Sequence, residues 1–306
     1  MQVLYSIADL ASLPGPVFLA IGVFDGVHLG HQAVIGRVAA DAKSAGGTAV
    51  VVTFNPHPLH VVRPGNAPRL ITSTPHKIQL IKNLGVLHLL MIPFDTNFAA
   101  TQPEAFIQNL AEACNPLREI CVGHQWSFGM GRKGNLEMLN IWGEKLGFEE
   151  VGIPAVEIDR QIVSSTLIRA AVESGDFQTA NKMLGREFSV LGTVVKGEQL
   201  GRKLGFPTAN LAAHNEQFPP DGVYAVEAIH REKQYRGVVN IGVRPTLEKK
   251  EGARLLEIHL FDFDENIYGE DIEVFFRNYL REERKFANLE ALKAQIVHDC
   301  EAARKN

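Results

Sequence analysis

Ala20-Ile21-Gly22-Val23-Phe24-Asp25-Gly26-Val27-His28-Leu29-Gly30-His31 is the stretch whose reading decides the fold. Val17 to Ile21 is a short apolar run of strand character, and helical periodicity begins after Gly30, so the glycines and histidines fall on a strand-to-helix turn. Such a turn presents bare backbone N–H groups. The helix start adds partial positive charge, and Gly22, Gly26 and Gly30 have no side chain to hold an anion away from that backbone. Phosphate is the expected ligand. His28 and His31 lie three apart, which on a helical turn puts both imidazoles on one face as donors to a polyphosphate. A Gly-rich turn with two surface histidines is the plainer alternative.

Outward from this turn, residues 17 to about 155 alternate strand-like and helix-like segments. A helix is expected from Leu29 to Lys43, then Thr48–Phe54, a near-continuous apolar run of the kind buried on both faces of a parallel sheet. Thr74-Pro75 reads as an N-cap followed by proline, with Ile78, Ile81 and Leu84 on one apolar face and a stop at Gly85. Val86 to Ile92 is a further buried strand. Thr101-Gln-Pro-Glu104 has the pattern of a capping box opening a helix through Ala113, Glu119–Val122 returns to strand, and a helix over Ile141–Leu146 ends at Gly147. Repeated βα units with short connections predict a doubly wound α/β domain.

The pattern changes near residue 185. A short helix from Asp176 ends at Gly185, and strands then replace helices: Ser189–Val195, Val223–His230, Arg236–Asn240, Leu255–Phe261 and Asp271–Phe276, separated by Gly, Pro, Asp and Asn turns. An antiparallel barrel is expected. A last helix begins around Asn288, with Leu289, Leu292, Ile296 and Cys300 along the face that covers the barrel. The expected domains are 1–184 and 185–306.

The 306 residues suit two domains, and a net charge of −4 gives no global pull toward nucleic acid or anionic membrane, so any phosphate site is local. Cys114, Cys121 and Cys300 are few and lack zinc-type spacing, which fits a reducing compartment. Met1 to Pro16 has no basic residue and no apolar run of signal length, so neither export nor membrane insertion is expected and the location read from the sequence is cytoplasmic.

Three more segments of the first half carry polar chemistry. Thr53-Phe54-Asn55-Pro56-His57-Pro58 lies just beyond a buried strand, where open α/β sheets bind ligands, and its prolines fix Asn55 and His57 in place. Val163-Ser164-Ser165-Thr166-Leu167-Ile168-Arg169 sets three hydroxyls at a helix start with an arginine one turn on, a second candidate anion site or an ordinary cap. Gly123-His-Gln-Trp-Ser-Phe-Gly129 offers Gln125, Trp126 and Phe128, as ligand contacts or as core aromatics.

Gly-x-Phe-Asp-Gly-Val-His-x-Gly-His, Thr-Phe-Asn-Pro-His-Pro and Ser-Ser-Thr-x-Ile-Arg, in this order, resemble the adenylyltransferase half of the prokaryotic bifunctional flavin enzymes, with the His-x-Gly-His pair of the wider nucleotidylyltransferase superfamily. The resemblance implies attack of FMN on the α-phosphorus of ATP. It implies ATP contacts from Gly22, Phe24, Asp25, Gly26, Gly30, Ser164, Ser165 and Thr166, and catalytic roles for His28, His31, Asn55 and Arg169. Flavin contacts are expected from Gln125, Trp126 and Phe128. There the chain departs from the family pattern: Gln125, Trp126 and Ser127 replace an acid, a phenylalanine and an arginine.

In the second half, Gly192 to Leu211 alternates glycines and basic residues in a way that suits a phosphate-wrapping loop, and Thr208 and Asn210 place two neutral oxygens on one face of an extended segment as candidate ligands for Mg²⁺. A Gly-rich hairpin with a charged tip is the alternative. The stretch resembles the flavokinase signature, continued by Asn240-Ile241-Gly242-Val243-Arg244-Pro245-Thr246, Glu257-Ile258-His259-Leu260 and Leu280-Arg281-Glu282-Glu283-Arg284-Lys285-Phe286. The resemblance implies a six-stranded barrel that transfers the ATP γ-phosphate to the ribityl 5′-hydroxyl of riboflavin, with Glu257 as base. ATP contacts are then expected from Lys196, Gly197, Gly201, Lys203, Gly205, Phe206, Pro207 and Asn240, and flavin contacts from Arg281 and Phe286.

The expected protein makes FMN and then FAD from riboflavin and ATP. A riboflavin kinase with a weakened or lost adenylyltransferase half, and a non-catalytic flavin-binding sensor, are the alternatives; oligomeric state is not legible. Purified protein given riboflavin and Mg-ATP is expected to accumulate FMN and then FAD in a chromatographic time course, and FMN without any FAD would remove the adenylyltransferase half.

Overall fold

The computed structural model describes residues 1–197, 201, 205–215, 217–243 and 254–305. They form two compact units, one of Met1–Leu70 and Thr74–Ser165, the other of Ile71–Ser73 and Thr166–Asn306. Among the described residues no helix is long and apolar enough to cross a membrane.

The first unit is built on six parallel strands, β1 (Gln2–Leu4), β2 (Val17–Ile21), β3 (Thr48–Asn55), β4 (His88–Pro93), β5 (Leu117–Gly123) and β6 (Glu149–Ile153), in the order β1-β4-β3-β2-β5-β6. Helices α1 (Leu29–Ser44), α2 (Pro58–Val62), α3 (Thr74–Asn83), α4 (Thr96–Ala99), α5 (Pro103–Ala113) and α6 (Leu136–Leu146) connect them. All five residues of β2 are buried. Strand alternation sorts the core into two: Leu19, Ile21, Val50, Val52, Leu90 and Ile120 pack on one face, and Phe18, Ala20, Val51, Leu89, Met91 and Cys121 on the other. The chain runs from β2 through β3 to β4 on one side and returns to β5 and β6 on the other, so the order reverses beside β2. Ligands of open α/β sheets bind at the carboxyl edge of that reversal, which is where Gly22 begins.

Local signals held in most elements. Gly147 ends α6 in the left-handed conformation at φ 80°. The capping box expected at Thr101 does not form: Gln102 is the N-cap of α5, its side chain makes no capping bond, and Pro103 at the first turn needs none from its own nitrogen. Strands β1 and β6 were not distinguished in the sequence, being a three-residue edge and a half-buried edge.

A two-residue pair, β7 (Glu157–Ile158) and β8 (Gln161–Ile162), precedes α7 (Ser165–Ser174) and α8 (Phe177–Leu184). Asp176 caps α8, accepting from the Thr179 amide at 3.0 Å, and Gly185 closes it at φ 67°. The closed antiparallel barrel has β9 (Ser189–Val195), β10 (Ala209–Ala213), β11 (Gly222–His230), β12 (Lys233–Val243), β13 (Arg254–Leu260) and β14 (Asp271–Arg281), in the order β10-β13-β12-β11-β14-β9. Leu211, Val239, Ile241, Leu256, Ile258 and Val274 fill its interior. Helix α9 (Leu289–Lys305) covers part of the outside, packing Ile296, Cys300 and Ala303 against Ala225, Val238 and Leu280.

One buried charge cluster sets a pH dependence in the first unit. Glu119 on β5 is 3% exposed and faces Asp41 of α1, which also holds Arg37. Burial, then the Asp41 carboxylate, pushes Glu119 up to about 7. The folded state therefore binds a proton that the unfolded chain, titrating near 4.5, releases, and stability falls as pH rises between these values. Glu119→Gln, which keeps a neutral donor toward Asp41, is expected to raise Tm by a few degrees at pH 8, with the gain vanishing by pH 5 in melts taken across that range.

Candidate functional site

The turn after β2 is held by an unusual density of left-handed backbone. Phe24 (φ 53°), Gly26 (φ 83°) and Val27 (φ 41°) all have positive φ, and Phe24 and Val27 are buried, so surrounding contacts overcome a conformation that bulky residues avoid. A Cβ on Gly22 would come within 2.8 Å of the Phe24 ring, so glycine is required there by close approach. His28 is the N-cap of α1, its Nδ1 accepting from the His31 amide at 3.4 Å. That acceptor role places the ring proton on Nε2. The His28 and His31 rings stack with centroids 3.5 Å apart, and the edge of His31 meets Phe24 at 5.3 Å. The two imidazoles thus stand together at a helix N-terminus, as the three-residue spacing predicts.

Other first-half residues gather on the same carboxyl edge. The Ser165 hydroxyl donates to the Asp25 carbonyl at 3.0 Å, joining the hydroxyl motif to the turn. Ser164 precedes it, and Thr166 and Arg169 continue along α7, past the boundary between the two compact units. Asn55 ends β3, and its Oδ1 accepts from the Thr74 hydroxyl at 3.1 Å, which leaves Nδ2 as the donating side of the amide. His57 caps α2 by accepting from the Leu59 amide at 3.1 Å. In the altered loop, Trp126 stacks on Phe128 at 4.5 Å, Phe128 is in the core, and Gln125 is exposed. Arg132, five residues beyond Ser127, donates to its hydroxyl at 2.7 Å.

In the barrel, register assembles the second site. Asn210 on β10 pairs with Glu257 on β13, and Glu257 pairs with Asn240 on β12. Directly opposite residues share a face, so the three polar side chains form a row on the outer face of the barrel while Leu211, Leu256 and Ile241 turn inward. A cavity of about 260 Å³ lies over the Glu257 and Asn240 end of this row, between the barrel and α9. It is lined by Glu257, Asn240, Thr208, Phe206, Gly201, Arg281 and Phe286 together with Leu292, Ile296 and Asp299. A second cavity, of about 420 Å³, is lined by Val194, Ile258, Leu260 and the 263–268 turn, and Thr208 borders both.

Thr208 and Asn210 are the expected cation ligands of the barrel. Asn210 is 6% exposed and its Oδ1 has no hydrogen-bond partner among the described residues. A Cβ on Gly197 would lie 1.8 Å from Asn210 Nδ2, and one on Gly201 would lie 2.4 Å from the Phe206 carbonyl and 3.0 Å from the Thr208 hydroxyl, so glycine at both positions lets the backbone pack against these two side chains. Neutral oxygen donors beside a nucleotide suit Mg²⁺, and the residues fit.

A family model for riboflavin kinase matches residues 184–306 and one for FAD synthetase matches residues 11–167. The bifunctional riboflavin kinase/FMN adenylyltransferase of Bacillus subtilis is 39% identical, over 93% of this chain and 90% of its own length. That of Escherichia coli K12 is 36% identical over 100% and 97%. The chain belongs to the bifunctional riboflavin kinase/FMN adenylyltransferase family. A solved structure named Macrolide-efflux Protein from Streptococcus pneumoniae shares the fold at TM-score 0.81 and 29% identity, covering 99% of this chain and 98% of that one. The two activities of the family are transferase reactions, a kinase and a nucleotidyltransferase, and the chain carries a domain for each.

For a member of this family, Gly201, Phe206, Thr208, Asn240, Glu257, Arg281 and Phe286 of the expected kinase residues line the first cavity and Pro207 the second, while Gly197 and Asn210 line neither. Lys203 lies outside the described residues. Lys196 is exposed at the end of β9 and borders neither cavity, while Gly205 makes a turn at φ 89°. Arg281 reaches the cavity with its guanidinium already bound to Asp299, Nε at 3.0 Å and Nη2 at 2.8 Å, so it clamps α9 to β14 as well as lining the site. The sequence did not point to His259, whose Nδ1 lies 2.8 Å from the Pro207 carbonyl and fastens the segment carrying Thr208. Nor did it point to Glu283, which accepts from Asn240 Nδ2 at 3.1 Å. Charge runs such as 281–285 carry no periodic signal that would have separated these residues from a solvated face.

Gly197→Ala is expected to drive the Asn210 amide out of place and to lower riboflavin phosphorylation by about a hundredfold. FAD formation from added FMN should stay at the parent rate, and steady-state assays of the two reactions check both.

Proposed function

We propose that the barrel phosphorylates riboflavin with Glu257 as general base and that the first unit adenylylates the FMN so formed, with the functional boundary at 184/185. The observation that carries the kinase assignment is Glu257 paired across the strands with Asn240 and Asn210, with Glu257 and Asn240 lining one cavity. A hydroxyl is a weak nucleophile until it loses its proton. Glu257 accepts that proton from the ribityl 5′-hydroxyl as the oxygen bonds to the γ-phosphorus and ADP departs. The flavin ring lies along Phe286, Leu292 and Ile296, the nucleotide enters by the second cavity, and Thr208 stands where the two meet. Thr208 and Asn210 hold Mg²⁺, which offsets the phosphate charge when bound.

In the first unit the attacking phosphate of FMN is already ionised, so no base is needed. Positioning and charge stabilisation suffice. The His28 Nε2–H, His31, the backbone amides of Gly22–Gly30 and the hydroxyls of Ser164, Ser165 and Thr166 receive the ATP phosphates, with Arg169 one turn on. Asn55 Nδ2 donates to the phosphate being joined, and Trp126 with Phe128 and Gln125 contacts the flavin. Support comes from the shared edge on which the turn, Asn55 and Ser165 lie. Three buried, unbridged cysteines fit a cytoplasmic setting.

Glu257→Gln is expected to lower kcat for FMN formation by 10²–10⁴-fold. Riboflavin binding, followed by quenching of its fluorescence, and FAD formation from added FMN should be kept. Retained kinase turnover in this variant would remove Glu257 as base.

A further inference from the structure

Lys77 on α3 is 7% exposed, and lysine is seldom so buried unless its charge is answered. Its Nζ donates to the Val23 carbonyl at 2.9 Å, and the Thr53 hydroxyl donates to the same oxygen at 3.0 Å. Two elements, α3 and β3, therefore grip one carbonyl at the entry to the left-handed turn. Burial holds the Lys77 ammonium below the ordinary lysine range, and the carboxylate of Asp25, two residues past Val23 and 2% exposed, works the other way. A buried carboxylate inside a turn made for phosphate is an electrostatic cost to any incoming anion, and Lys77 is the buried cation beside it.

We infer that Lys77 is a positioning residue for adenylyl transfer: it offsets Asp25 and fixes the Val23 carbonyl, so that the Gly22–Gly30 turn meets the ATP phosphates with a favourable field. This rests on the assignment of that turn to ATP. Lys77 touches neither reacting phosphate in this role, and the kinase reaction of the same chain does not depend on it.

The test measures KM for ATP and kcat of the FMN-to-FAD reaction, with riboflavin phosphorylation by the same preparation as control. Lys77→Met is expected to raise KM for ATP at least about tenfold with a smaller loss in kcat, and K77M combined with Asp25→Asn to recover part of that loss. An ATP KM within threefold of the parent in K77M, or a double variant no better than K77M, overturns the inference. If K77M does not accumulate as folded protein, the double variant carries the test: the charge account expects it to fold and to form FAD with an ATP KM within about tenfold of the parent, and a double variant that fails to fold, or one with a larger rise in KM, overturns the inference. His28→Ala separates the two levels. If it leaves FAD formation intact, the ATP assignment of the turn fails, and if it abolishes FAD formation while K77M is harmless, only the role of Lys77 fails.

Discussion

Asn210, Glu257 and Asn240 stand opposite one another because three antiparallel strands pair in one register, and a slip of one residue in β13 would turn Glu257 into the barrel interior and Leu256 or Ile258 toward the cavity. Burial of those aliphatic residues holds the register: each is essentially inaccessible, and exposing a side chain of that size costs about 2 kcal/mol. The register of the polar row is thus fixed by apolar residues that face the other side of the same strands. Helix α9 then turns a strip of barrel exterior into a walled cavity, through Ile296, Cys300 and the Arg281–Asp299 pair.

In the first unit a parallel ladder performs the corresponding task. Strands buried on both faces end at a common edge, and the reversal of order beside β2 leaves a crevice there. The turn that fills the crevice is conformationally costly at Phe24 and Val27, and its contacts repay that cost: the Phe24 ring against Gly22 and His31, Thr53 and Lys77 on the Val23 carbonyl, and the Ser165 hydroxyl on Asp25. Strain held by this many contacts produces a preset surface at the start of α1.

Both units bring glycine to the place where phosphate is expected, for different local reasons. Gly22 yields to an aromatic ring, Gly197 to the side-chain amide of Asn210, and Gly201 to the Phe206 carbonyl and the Thr208 hydroxyl. The shared consequence is backbone that a highly charged, strongly hydrated group can approach closely. In the loop that carries Gln125 to Ser127, Phe128 and Gly134 pair backbone to backbone, and Arg132 brings a guanidinium to Ser127.

The sequence by itself determined the elements and their order. Apolar runs such as Val17–Ile21 and Thr48–Phe54, stops at Gly147 and Gly185, and the change from helical to strand periodicity near 185 are local signals, and the motifs around His28, Asn55, Ser165, Thr208 and Glu257 announced themselves by composition and family likeness. Short or edge strands escaped, because three residues such as Gln2–Leu4 carry too little periodicity, and the box at Thr101 failed because a proline turn starts α5 without it. Only the tertiary structure decided which polar residues meet. Lys77 reads as a solvated helix lysine, its sole hint being a position four before Ile81 on the buried face. Asp299 and Glu283 read as surface charge, and the clamp that Arg281 makes on Asp299 is not legible in its own segment. Local sequence encodes backbone propensity and amphipathic period, whereas the juxtaposition of Asn210 with Glu257, 47 residues apart, is fixed by strand register and by what the core must bury.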